Sequence, residues 1–257
     1  RPMQFTKLKA IPGAVRDASP DAWGRRVIQA KLQRQEADIQ EIEYLLNGPD
    51  DGAGNLSFGR SPQPPARGRP FNRTHQLAAL IDAAHRLAED GRLPYEVLES
   101  LEPGTSMGGA RPKVTVEDEQ KIWLAKLPER RDRHNVQRIE FATLELAQAA
   151  GLRVCQARLE RVGFRDGIGD VLMLGRFDRE WNPQAKMYVR HGLVSGLTVL
   201  DAEDGYLGRE RWSYPLLADE LRRWSVKPAE DRRELYRRIV FNAMVTNNDD
   251  HPRNHAL

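Results

Sequence analysis

A change of hydrophobic period around residues 103–116 constrains the fold of this chain more than any other feature. Before it, apolar residues recur at helical spacing: Trp23, Val27, Ile28, Leu32, Ile39, Ile42 and Leu45, then Leu77, Leu80, Ile81, Ala84 and Leu87, then Val97 and Leu101. The Gly-rich stretch Pro103-Gly104-Thr105-Ser106-Met107-Gly108-Gly109-Ala110-Arg111-Pro112-Lys113 interrupts that pattern and runs into the alternating segment Val114-Thr115-Val116. Residues 117–120 predict a hairpin turn, and Ile122 to Leu127 a second strand. Residues 134–150 predict an amphipathic helix through Val136, Ile139, Leu144, Leu146, Ala147 and Ala150, stopped by Gly151. Cys155 to Val162 and Gly169 to Phe177 are two more β-rich runs around an Arg-Asp-Gly turn, and helical spacing returns from Tyr214 and again from Ala229. The expectation is an α+β protein. Its helical part is 1–102, a β-rich part with one helix spans 103–178, and a second helical region begins at 179.

Two local readings refine that outline. Ser19-Pro20 predicts a helix start with Ser19 as N-cap, and the Asp21, Trp23, Arg25 and Arg26 that follow are expected to cap and pack that helix rather than catalyse. Residues 48–72, rich in Gly, Pro, Arg and Ser, predict a surface loop around a short strand-like piece at Gly54 to Phe58.

Composition narrows the function classes. At 257 residues the chain can bury a sizeable core. Its 40 basic and 37 acidic residues leave a net charge of +3, too near balance to argue for nucleic-acid binding. The arginine pairs at 130–131, 222–223, 232–233 and 237–238 are dispersed, as on solvated helix faces. A single cysteine, Cys155, excludes an internal disulfide and fits a reducing compartment. No apolar run is long enough to span a membrane, so the expectation is a cytoplasmic protein.

The chemistry concentrates in Asn247-Asn248-Asp249-Asp250-His251-Pro252-Arg253-Asn254, after the apolar run from Leu235 to Thr246, in which Ile239, Val240, Phe241, Met244 and Val245 are expected to form a buried face. Two readings stand. Asn, Asp and Pro are turn residues, so the segment is a solvated polar turn. Alternatively, Asp249 and Asn254 stand five apart, as do the base and the metal-binding Asn of a protein-kinase catalytic loop; Asp250 stands only four away. Upstream parts fit the second reading. A Gly-rich turn between strands lets backbone amides approach phosphate oxygens, and Lys113 and Lys126 place two cations near it. The turn is not a Walker A loop, because that motif ends in Gly-Lys-Ser/Thr and opens a helix. Glu140, on the helix after the strand that bears Lys126, is placed to pair with it.

Four segments in this order resemble the HipA family of bacterial serine/threonine toxin kinases of type II toxin–antitoxin modules. They are Arg16-Asp17-Ala18-Ser19-Pro20-Asp21-Ala22-Trp23-Gly24-Arg25-Arg26, Ser106-Met107-Gly108-Gly109-Ala110-Arg111-Pro112-Lys113, Gly175-Arg176-Phe177-Asp178-Arg179 and Asn247 to Asn254. The resemblance implies a two-lobed, protein-kinase-like fold with a β-rich nucleotide-binding lobe and a helical lobe. It implies ATP and Mg²⁺ as cofactors, Asp249 as catalytic base, Asn254 as metal ligand and His251 in the same nucleotide-contacting loop. Lys126 would contact the ATP phosphates, and Lys113 with Ser106, Met107, Gly108, Gly109, Ala110, Arg111 and Pro112 would cover them. Gly175, Arg176 and Phe177 would form the adenine-binding hinge, and Ser106 would be an autophosphorylation site that switches the kinase off. The implied partners are a HipB-like helix-turn-helix antitoxin, operator DNA reached through that complex, and a protein of translation, such as an aminoacyl-tRNA synthetase, as substrate.

This chain departs from the family pattern in three ways. The second metal-binding Asp is expected beyond Leu257, the N-terminal β-rich segment before Arg1, and Gly175 stands where the hinge usually carries a polar residue. Alternatives are a non-toxic regulatory kinase and a catalytically silent, nucleotide-binding partner or co-repressor.

Overall fold

A computed structural model describes residues 11–61, 71–102, 108–202 and 206–257. The elements in chain order are α1 (Gly13–Asp17), α2 (Ala22–Leu32), α3 (Glu41–Asn47), β1 (Asn72–Arg73), α4 (Leu77–Asp90), α5 (Tyr95–Leu101), β2 (Lys113–Asp118), β3 (Lys121–Lys126) and α6 (Val136–Ala149). They continue with β4 (Ala157–Phe164), β5 (Gly167–Gly175), β6 (Arg179–Asn182), β7 (Met187–Arg190), α7 (Gly196–Val199), α8 (Tyr214–Trp224) and α9 (Pro228–Met244). The chain is mixed α+β and divides into two compact units, one built from 18–144 and 155–191, the other from residues up to 17, 145–154 and 192–257.

The first unit is organised on a five-stranded sheet in the order β1-β2-β3-β5-β4, antiparallel except for the β1–β2 pair. Its core follows the period-2 pattern of the strands. Val114 and Val116, Trp123 and Ala125, and Val171 and Met173 turn one sheet face onto Trp23 and Val27 of α2, Leu77, Leu80, Ile81 and Leu87 of α4, and Leu98 and Leu101 of α5. The β2–β3 turn is made by Glu119 and Gln120, both at positive φ (46° and 61°), the twist that a two-residue hairpin needs. β4 and β5 pair from Ala157↔Leu174 to Phe164↔Gly167, with Arg165 and Asp166 in the turn.

Three expectations change here. The N-cap of α2 is Asp21, whose side chain accepts the Gly24 N–H at 2.8 Å, and Ser19 lies before it. Gly54 to Phe58 forms no strand. The Gly52, Gly54 and Leu56 carbonyls accept instead from arginine side chains of β6 and β7 or the residues beside them. Strands also continue past residue 178, because β6 and β7 pair from Arg179↔Arg190 to Asn182↔Met187.

In the second unit α7, α8 and α9 gather Leu197, Leu200, Ala202, Leu217, Leu221 and Leu235 into a small core. Asp17 joins α1 to α7 by accepting the Ser195 N–H, the Ser195 hydroxyl and the Thr198 hydroxyl, each at 2.7 Å. α6 ends at Gly151 (φ 81°), and the Leu152 N–H reaches back to Ala147 O, a glycine helix stop as predicted. The apolar faces are narrower than the periodicity predicts. On α6 Ile139 and Leu146 are exposed, and on α9 Val240 and Met244 are exposed while Leu235 carries the burial. Among the described residues, no helix is long and apolar enough to cross a membrane.

Candidate functional site

In the first unit, Lys126 stands at the end of β3 with its Nζ 2.5 Å from Oε1 of Glu140 on α6. Both side chains are partly exposed, so the pair is reachable by a ligand. The fold brings Glu140 to this lysine through the α6 N-terminus. Gln137, one turn earlier, is buried and donates to the Leu127 carbonyl at 2.9 Å, which fixes α6 against the strand end. Cys155 sits close enough for both charges to act on its thiol, which burial pushes up.

Of the Gly-rich turn, Ser106 and Met107 lie outside the described residues. Gly108 and Gly109 take φ of 84° and 89°, a conformation that glycine adopts without strain. Arg111 is tied to Asp132 at 2.5 Å, and the Pro112 carbonyl accepts the Leu127 N–H at 3.0 Å. Lys113 is buried. Its ammonium lies 3.0 Å from Asp21 Oδ2 and 3.3 Å from the Gly109 carbonyl. Burial pushes the Lys113 ammonium down and the Asp21 carboxyl up, each opposed by the charge of the other. The resemblance implies that Lys113 covers the ATP phosphates; the carboxylate that pairs with it lies at the start of α2, 92 residues away.

The hinge triplet is also reassigned in part. The Gly175 N–H donates to Gln156 O and the Arg176 N–H to Ile122 O, so both amides are spent inside the sheet. A Cβ on Gly175 would meet Lys121 Cε, the movable end of a side chain, at 2.9 Å. The Arg176 guanidinium makes five hydrogen bonds, to both Asp178 oxygens, to Asp51 Oδ2 and to the Asp51 and Gly52 carbonyls. Five donors meet five acceptor contacts, leaving none for a nucleotide. Phe177, in contrast, is 68% exposed. The Asp51–Arg176–Asp178–Arg179 network was not anticipated, although the alternation of charge in Arg176-Phe177-Asp178-Arg179 was its signal.

The second unit holds the polar loop after α9. The Asp249 side chain is 93% exposed, with His251 Nε2 at 3.7 Å, and the Asp249 N–H donates to Asn247 Oδ1 at 3.1 Å. Asn254 Nδ2 donates to the Asp249 carbonyl, which fixes the separation of the two predicted residues and leaves Asn254 Oδ1 without a donor among the described residues. Asp250 plays the opposite part. It accepts from Tyr214, from Asn242 Nδ2 at 2.8 Å and from His255 Nε2 at 2.9 Å. Gly196 allows the loop to seat, because a Cβ there would come 2.8 Å from the Pro252 carbonyl. Beyond it, Val194 and Leu257 exchange backbone hydrogen bonds at 3.0 and 2.9 Å. Tyr214, Asn242 and His255 were not singled out in the sequence, since partners of a loop carboxylate carry no local pattern.

Burial raises the Asp250 carboxyl, but hydrogen bonds from His255, Tyr214 and Asn242 outweigh it and bring it down to about 2. Burial and the same bond push the Tyr214 hydroxyl up to about 12. A depressed carboxyl contributes stability above its unfolded value, near 3.9, and loses it as pH falls toward the folded value. The loop anchor is therefore expected to weaken between about pH 4 and pH 2, by on the order of 2 kcal/mol. Acid unfolding of the wild type and of Tyr214→Phe checks this: the variant should show a smaller pH-dependent loss, and identical acid curves contradict it.

Asn254 offers a neutral amide oxygen, and Mg²⁺ commonly keeps several waters and substrate phosphate oxygens alongside one or two protein ligands. Among the described residues, no group of three or more His, Cys, Asp or Glu side chains converges to form a metal cage.

Comparison with known proteins bears on the fold and the family. Among curated proteins none matches the sequence. Among solved structures, the chain is similar to HipA of Shewanella oneidensis MR-1 in its complex with HipB and operator DNA, with a TM-score of 0.61 and 17% sequence identity. The match covers 95% of this chain and 59% of that HipA, so the shared feature is the fold, over little more than half of the relative's length. The HipA-like C-terminal domain model matches residues 105–257, from the Gly-rich turn through the polar loop. The chain therefore belongs to the HipA family, and the solved structure described above is of the HipA of a toxin–antitoxin system.

Proposed function

We propose that this protein is an ATP-dependent serine/threonine kinase that transfers the γ-phosphoryl group to a hydroxyl of a protein. The observation that supports this most is the Lys126–Glu140 ion pair, a strand lysine held by a helix glutamate next to a Gly-rich turn. In this reading the exposed Asp249 carboxylate accepts the proton of a Ser or Thr hydroxyl. The hydroxyl oxygen bonds to the γ-phosphorus, the bond from that phosphorus to the bridging oxygen breaks, and ADP leaves. Asn254 would hold Mg²⁺, which when bound offsets charge on the phosphates. Lys126 would contact the ATP phosphates, oriented by Glu140. His251, 3.7 Å from Asp249, is placed to restrain that carboxylate. Adenine contacts would fall to Phe177 and to backbone carbonyls, because the amides of Gly175 and Arg176 are occupied.

Regulation and partners follow the family. Ser106 would be phosphorylated by the protein itself, and a phosphate with close to two negative charges in the turn would compete with ATP phosphates. A HipB-like helix-turn-helix antitoxin would neutralise the kinase and carry it to operator DNA, and the substrate would be a translation protein such as an aminoacyl-tRNA synthetase.

Incubation with Mg²⁺ and γ-labelled ATP, followed by peptide mass spectrometry, tests the reading. Label on protein, including the Ser106 peptide, is expected, and Lys126→Met should lower transfer by roughly a hundredfold or more by removing a preorganised cation. Nucleotide binding with no transfer would instead identify a silent partner, and no binding at all would reject both. Growth arrest on expression, relieved by the antitoxin, separates a toxin from a non-toxic kinase.

A further inference from the structure

The α2 motif Asp21-Ala22-Trp23-Gly24-Arg25-Arg26 has no task in the chemistry above, yet it grips the Gly-rich turn. The Gly109 carbonyl accepts the Trp23 N–H at 3.4 Å and Lys113 Nζ at 3.3 Å. The Ala110 carbonyl accepts from the Arg26 guanidinium. Trp23 Nε1 donates to the Lys113 carbonyl at 3.0 Å, just past the turn. Asp21 serves two purposes with one carboxylate: Oδ1 caps α2 through the Gly24 N–H at 2.8 Å, and Oδ2 holds Lys113 Nζ at 3.0 Å. The helix start and the turn are thus locked by one buried ion pair.

The consequence concerns the amides. Two successive carbonyls of the turn face α2, and among the described residues no acceptor meets the N–H of Gly109, Ala110 or Arg111. Consecutive unpaired amides in a turn with left-handed glycines make a concavity suited to anionic oxygens. A glycine-containing turn left to itself samples many conformers, and ordering it on binding costs affinity.

We infer that the α2 motif is a positioning element for the nucleotide phosphates: Asp21, Trp23 and Arg26 hold the Gly109 and Ala110 carbonyls back, so that the amides of the turn are presented to the polyphosphate. This rests on the nucleotide-binding reading above. The three residues act through the turn and touch no reacting atom.

Arg26 is exposed, so Arg26→Met removes the donor to Ala110 and the cation over the Trp23 ring while leaving the Asp21–Lys113 ion pair in place. In the full-length protein the Kd for Mg-ATP is expected to rise roughly tenfold, while the Kd for adenosine, which has no phosphate, and the Tm stay unchanged. NMR order parameters of the Gly108 and Gly109 amides should fall in the variant, and Arg26→Lys should recover most of the ATP affinity. A wild type that binds no nucleotide overturns the functional reading and this inference with it. A wild type that binds Mg-ATP alongside an Arg26→Met variant that binds it equally well overturns the positioning role alone, as does an equal loss of adenosine and ATP affinity.

Discussion

Asp249→Ala is expected to lower phosphoryl transfer by roughly two to four orders of magnitude, the range for a general base, with nucleotide affinity and Tm unchanged. The stability half of that statement comes from exposure. The Asp249 side chain is 93% exposed, and the loop is held through its backbone and through its neighbour. Asp250→Ala is the informative control. It removes the acceptor shared by Tyr214, Asn242 and His255, so it should loosen the loop and lower stability and activity together. Radiolabel transfer and thermal melts on both variants separate a chemical role from a scaffolding one. Wild-type transfer by Asp249→Ala would remove Asp249 from the mechanism, and a large Tm loss in that variant would show that it supports the loop.

The second large effect falls on the fold. Asp178→Ala should destabilise the first unit by about 3–5 kcal/mol, the cost of breaking a buried ion pair from one side. Asp178 is 1% exposed and accepts from Arg176 Nε at 2.9 Å, Arg176 at 2.7 Å, Arg179 at 2.8 Å and the Gly54 N–H at 2.9 Å. Burial raises its carboxyl, but the Arg176 hydrogen bonds and the charges of Arg176 and Arg179 outweigh that and hold it below the usual range. Without it, two guanidinium groups stay buried beside each other with fewer acceptors, and the Gly54 N–H loses its acceptor. Urea unfolding followed by far-UV circular dichroism measures this; a loss below about 1 kcal/mol would mean that the network relaxes into solvent rather than bearing on the core.

The legible parts of the chain were those whose cause is local. The β2–β3 hairpin, the β4–β5 turn, the glycine stop after α6 and the helices α4, α8 and α9 follow from turn chemistry and period over a few residues. So does the arrangement that matters most to the proposed site, because Lys126 ends a strand and Glu140 lies one turn into the next helix. That spacing needs only the strand to pack beside the helix for the ion pair to form. Asp249 and Asn254 were likewise legible as a pair, and the hydrogen bond from Asn254 to the Asp249 carbonyl is short-range.

What was misread depended on partners remote in sequence. Lys113 became a buried pair because Asp21 lies against it, and Arg176 became a strut because Asp51 and the Gly52 carbonyl close around it. The hairpin after residue 178 escaped notice because β6 and β7 are four residues each, too short for a period to emerge. The buried face expected on α9 failed for a related reason: periodicity shows which residues can be buried, but the described core reaches mainly Leu235.

By itself the sequence determined the fold class, the order of helices and strands, the lysine–glutamate pair and the catalytic-type spacing of Asp249 and Asn254, since all of these arise from contacts within a few residues or from consecutive elements. Only the tertiary structure decided which charged groups face solvent and which are locked away. Burial depends on what packs from elsewhere in the chain, and it separates the exposed Asp249 from the hydrogen-bonded Asp250, and the partly exposed Lys126 from the buried Lys113.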